Sequence, residues 1–186
     1  GVSFSGAASP LGGGAVFASG LSSIVQLLGA DFSGSQSTGA GLGGGDILLA
    51  GGAKLIGSAI SSLNAATSTN GGFLSLVGGS VAELVGDISL NGCSAEGDGG
   101  CVSVLDGSRA LLSGVTVLAS SAVGQGGALL SSGVGSVLEL ATSTLTGCTA
   151  TAEGGCLAVL GGGNITATGV SFSGAASPLG GGAVFA

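Results

Sequence analysis

Short apolar stretches alternate along this chain with breaks rich in Gly and Ser, and two signatures recur in a fixed order. The first is a pair of apolar residues one position apart, followed by a small-residue turn. It reads VSFSGA at Val2–Ala7, ISLNGC at Ile88–Cys93 and VSFSGA again at Val170–Ala175. With the second apolar residue as marker, the series is Phe4, Phe32, Leu63, Leu90, Val117, Leu145 and Phe172. The second signature is Gly-Gly followed by an extended apolar run: GGAVFA, GGDILLA, GGFLSLV, GGCVSVL, GGALLSS, GGCLAVL and GGAVFA. The residues after the glycines are Ala15, Asp46, Phe73, Cys101, Ala128, Cys156 and Ala183, and both series step by 27 to 31 residues. A third, looser apolar stretch follows each, beginning at Ile24, Ala53, Val81, Arg109, Val137 and Asn164.

Three short extended segments per repeat, with Gly breaking every longer run, exclude a helical period and predict strands. At this spacing the strands cannot pair as hairpins. Stacked repeats instead pair each strand with its counterpart one repeat on, in parallel. The predicted fold is all-β: a right-handed parallel β-helix, or β-solenoid, with three strands and about 28 residues per coil. The alternation of strand side chains predicts Val16, Ile47, Leu74, Val102, Leu129 and Leu157 inward. The residue before each, which varies among Ala, Asp, Phe and Cys, is predicted to face outward.

The first eighteen residues, GVSFSGAASPLGGGAVFA, recur without change as residues 169–186. The expected organisation is one continuous solenoid over 1–186. Six coils form a 168-residue unit, 1–168, and 169–186 repeat 1–18 as the start of the next unit in a longer chain.

GGAVF and GGALL resemble the GGAI motif, and FSGA, FSGS and LNGC the FxxN motif, of the chlamydial-type polymorphic outer membrane protein repeats. The resemblance implies a surface-exposed parallel β-helix, in that family often a passenger linked to adhesion. The FxxN asparagine is replaced by Ala7 and, in the other repeats, mostly by small residues.

Composition narrows the function. The chain has 43 Gly, 6% charged residues and a mean hydropathy of +0.79, a balance opposite to that of disordered chains. Its longest apolar runs fall far short of the roughly 20 residues of a membrane helix, so no membrane insertion is expected in this segment. Net charge is −7, with Lys54 and Arg109 the two bases, which excludes nucleic acid as a partner. With no His, Tyr, Trp or Met and no clustered acid–base groups, no enzyme is expected. Glu83 and Asp87 read as a solvated strand end and turn. No cofactor is expected.

The turn carboxylates Glu96, Asp98 and Glu153, with Asp46, do not fall on adjacent repeats, so a calcium site lacks its converging oxygens. Thr142, Thr144, Thr146, Thr149 and Thr151 crowd one repeat rather than forming the rank an ice-binding face needs. Cys93 and Cys101 follow the two signatures of the fourth repeat, and Cys148 and Cys156 hold the same places in the sixth. Two rungs separate the pairs, too far for a shared zinc ion or a cross-pair bridge. Two C-x7-C disulfides are therefore expected, which places the chain outside the cell. Asn164-Ile165-Thr166 is a glycosylation acceptor pattern. Phe17, Leu48 and Phe73 are expected to face outward as lateral contacts between rods. The expected function is the repeat unit of an extracellular or surface filament, self-associating end to end as covalent tandem units or stacked subunits, with lateral bundling. The alternative is an adhesin or autotransporter-like passenger stalk.

Overall fold

A computed structural model describes all 186 residues as a parallel β-solenoid of stacked coils, with no helix. Three sheets run along the rod: one of nine strands, one of six and one of seven. Every named pairing is parallel and joins a strand to its counterpart one coil on. Val16 is followed in one ladder by Ile47, Leu74, Val102, Leu129, Leu157 and Val184.

The first and third apolar stretches belong to one sheet. Residues Ile24–Ser33 form a single ten-residue strand that joins the third stretch of the first repeat to the first signature of the second. Lys54–Leu63 and Arg109–Leu118 do the same further along. The six-stranded sheet is built from two-residue strands such as Ala8–Ser9, Gln36–Ser37 and Ser94–Ala95. These have no alternation for a sequence pattern to carry.

Two glycine ladders explain why the signatures are what they are. At the corner between the nine- and six-stranded sheets, Gly6, Gly34, Gly92, Gly147 and Gly174 all have φ between 59° and 68°. Asn64 and Ala119 occupy that place in the third and fifth coils with φ of 56° and 51°. This left-handed conformation is open to Gly and strained for Ala. In the Gly-Gly turn the second glycine is required by space. A Cβ on Gly100 would lie 2.1 Å from the Gly127 carbonyl oxygen and 2.5 Å from that of Ser121. Equivalent contacts at Gly45, Gly72 and Gly127 are 2.2 to 2.4 Å from the next coil's glycine. Backbone here packs on backbone.

The core runs down the axis. Phe4 stacks on Phe32 with ring centroids 4.9 Å apart, close to one rung, and Phe32 meets the edge of Phe73 at 6.1 Å. The expected inward series is inward, with Ile47, Leu74, Val102, Leu129 and Leu157 all in the buried core and Val16 packed against it. The residues just before them are inward too. Asp46, Phe73, Cys101, Ala128 and Cys156 are wholly buried, against the expected outward placement. The physical reason is the Gly-Gly bend: the chain turns a corner there, so two successive side chains point to the axis and alternation starts only afterwards.

A second correction falls in the third coil. The ladder through Phe4 and Phe32 continues to Ser62, not Leu63, and then to Leu90 and Val117. Leu63 faces out, 43% exposed, and Ser62 takes the core position.

Candidate functional site

In each coil one inward residue just before the two-residue strand of the six-stranded sheet and one just after the Gly-Gly turn flank that sheet from its two ends. In successive coils they hold Ser35 with Asp46, Ala65 with Phe73, Cys93 with Cys101, Ser120 with Ala128 and Cys148 with Cys156, all buried. The polar residues at these two positions are the chemically distinctive feature of the interior.

Asp46 is a carboxyl with no solvent exposure. Ser62, one coil on, donates a hydrogen bond to its Oδ2 at 2.5 Å. The Ser35 hydroxyl lies beside the same carboxyl but outside hydrogen-bonding geometry, and Oδ1 has no partner. Burial pushes the Asp46 carboxyl up to about 6, and the Ser62 and Ser35 hydroxyls only partly offset it. Asp46 is thus not one of the solvated turn carboxylates.

All four cysteines are buried thiols here, with no bridge formed. The two expected pairs are the ones brought face to face, Cys93 with Cys101 and Cys148 with Cys156. Burial, with Cys93 beside it, pushes the Cys101 thiol well up. The adjoining Cys156 thiol lowers Cys148, while Cys156 is itself held up by Cys148 and by burial. Ser120 stands one coil from each pair, its hydroxyl buried and unpartnered.

The outer surface carries two kinds of polar ladder. Lys54 pairs with Glu83 at 2.9 Å and Arg109 with Glu139, so both bases bridge one coil to the next. Glu83 is therefore an ion-pair partner rather than a free strand end. In the turn before the double glycine, the Asp98 N–H donates to Asn70 Oδ1 at 2.7 Å, and the Gln125 N–H to Asp98 Oδ1 at 2.7 Å. The Gln125 amide in turn donates to Glu153. Acid and amide alternate along this line, so Asp98 and Glu153 are a full two rungs apart, each with its own donor.

Of the residues expected as lateral contacts, Phe17 faces out and is 60% exposed. Leu48 is on the outer side of its strand yet buried, because the backbone of the preceding turn at Gly12 lies over it. Phe73 is in the core. Neither Leu48 nor Phe73 can meet a neighbouring rod. Asn164 opens a strand at the rod surface with its side chain exposed. A shallow groove of about 390 Å³ crosses four coils of the six-stranded sheet, lined by residues that include Gln36, Ser68, Ser94 and Glu96.

Comparison with known protein families, curated proteins and solved structures finds no match. The fold defines the class: a parallel β-solenoid.

Proposed function

We propose that the chain is the tandem-repeat unit of an extracellular filament or surface fibre. One observation carries this reading. Each of the three ladders returns to the same residue of the repeated segment after six coils: Ser3 leads to Ser171, Ala8 to Ala176 and Val16 to Val184.

At two of its turn glycines the segment's backbone repeats with it. Gly6 and Gly174 have φ of 59° and 60°, and Gly13 and Gly181 of 59° and 56°. At 1–18 the segment carries the second coil, through pairs such as Phe4 with Phe32. At 169–186 it rests on the sixth, through pairs such as Leu145 with Phe172. The same eighteen residues are therefore complementary to both neighbours, and unit can follow unit with no change of register. Identity over this segment, beside loose similarity among the six coils, favours a uniform rod over a single binding face.

Six rungs at about 4.8 Å give an axial repeat of roughly 29 Å per unit. Fibre diffraction or electron cryo-microscopy of native material should give that spacing with a finer one near 4.8 Å. A capped, soluble monomer of about this length would end the filament reading, and the passenger stalk suggested by the GGAI/FxxN resemblance would replace it.

A further inference from the structure

We propose that Cys93–Cys101 and Cys148–Cys156 are covalent modification sites, each pair being oxidised to a disulfide as its coil closes and before the next coil seals it. The placement of the four side chains carries this. The members of each pair come from opposite ends of the six-stranded sheet and meet side by side inside one coil, and all four are in the continuous core. The same two positions are adjacent in the second coil, where Ser35 stands beside the Asp46 carboxyl.

Bridges across the pairs are closed off by geometry. Coils four and six stand two rungs apart, roughly 10 Å, whereas bridged Cα atoms lie within about 7 Å. The chemistry is thiol–disulfide exchange with a small disulfide such as oxidised glutathione, or with a disulfide oxidoreductase. One cysteine thiolate attacks the donor disulfide, forms a mixed disulfide and releases the first donor thiol. Its partner then attacks the protein sulfur, closes the bridge and releases the second. Two protein thiols are oxidised, the donor disulfide is reduced, and both protons end on the released thiols.

Timing follows from burial. Cys101 donates its N–H to Ala128 of the next coil, and Cys156 donates to Ala183. Once those coils are in place no thiol has any exposure. Bridges made before closure are then out of reach of reductant. The inference does not depend on the filament reading, because a monomeric stalk would hold the same pairs.

The test is to refold the reduced, denatured chain with mixed oxidised and reduced glutathione, alkylate under denaturing conditions, and map the peptides without reduction. Expected are two cross-links, Cys93 to Cys101 and Cys148 to Cys156, with no alkylated thiol. In native buffer dithiothreitol should leave both intact, and in guanidinium it should open both. Four alkylated cysteines, a cross-pair bridge or stable glutathione adducts would overturn the proposal. The double variant Cys93→Ala/Cys101→Ala should keep the Cys148–Cys156 bridge alone. If refolding yields no folded protein, the same mapping on chain secreted into an oxidising medium decides with the same outcomes.

Discussion

Ser62 and Asp46 form a hydrogen-bonded pair inside the core, the hydroxyl of one coil donating to the carboxylate of the coil before it at 2.5 Å. Each explains the other's presence. A serine in a ladder otherwise held by Phe4, Phe32, Leu90 and Val117 would leave an orphan hydroxyl, and Asp46 without it would have no donor. The pair makes stability depend on pH. The Asp46 carboxyl titrates near 6 in the fold and near 3.8 unfolded, so between those values the native state holds a proton that the unfolded chain has released. Its contribution to stability falls as pH rises from about 3.8 to about 6 and stays low above. The loss is on the order of 3 kcal/mol. Asp46→Asn should be more stable than the parent at pH 7.5 and should lose this dependence, as read from urea unfolding at pH 4.5 and 7.5.

Ala119 is the simplest site for gain. It holds a left-handed conformation, φ 51°, that the coils before and after fill with Gly92 and Gly147. Ala119→Gly should stabilise by about 0.5–1 kcal/mol, since relief of the left-handed strain exceeds the entropy cost of Gly. The converse, Gly147→Ala, should cost about 1 kcal/mol. No atom comes closer than 3.8 Å to the added Cβ, so its cost is conformational alone. Thermal melts of both variants would show opposite shifts.

Gly100→Ala separates the two glycine roles. Its new Cβ would meet two backbone oxygens at 2.1 and 2.5 Å, which no rotamer change can relieve. The loss should be several kcal/mol, beyond the range of ordinary single substitutions. Denaturation alongside Gly147→Ala should give a clear ranking. Equal effects would mean that the rungs yield at the double glycine.

Phe73 and Phe17 test where the aromatic residues act. Phe73→Ala removes a ring packed on Phe32 and should cost about 3–5 kcal/mol. Phe17→Ala, at a position 60% exposed, should change stability by no more than about 0.5 kcal/mol. If rods associate laterally through this face, Phe17→Ala should weaken bundling in light scattering, and Phe73 cannot take part.

The coil period and its pairing were legible because apolar pairs and double glycines mark every turn at nearly constant spacing. Less legible was which way a side chain points just after a bend. Alternation predicts Phe73 outward, but the chain is still rounding the corner there and the ring goes in. In the third coil Leu63 looks like the core residue because it is apolar. The position belongs to Ser62, and only the buried carboxylate of Asp46, sixteen residues earlier, explains why. Equal spacing in two coils marked which cysteines lie side by side, and the structure holds them as free thiols with no bridge. Their common position with Ser35 and Asp46, on either side of the six-stranded sheet, was not legible, because it exists only after the two-residue strands are placed.

Every ladder contact reaches 27 to 31 residues along the chain, whether it lies in the first coil or the last. Loop closure entropy grows with loop length, so here the entropic toll of adding a coil is the same at any point in the rod. Contact order relative to length falls as coils are added, and folding becomes a zipper that advances from a finished rung. A chain leaving a ribosome or a secretion pore end first need expose only about one coil beyond the last rung before the next can form. Length then costs time in proportion, and a rod of many units is no harder to fold, coil for coil, than a short one.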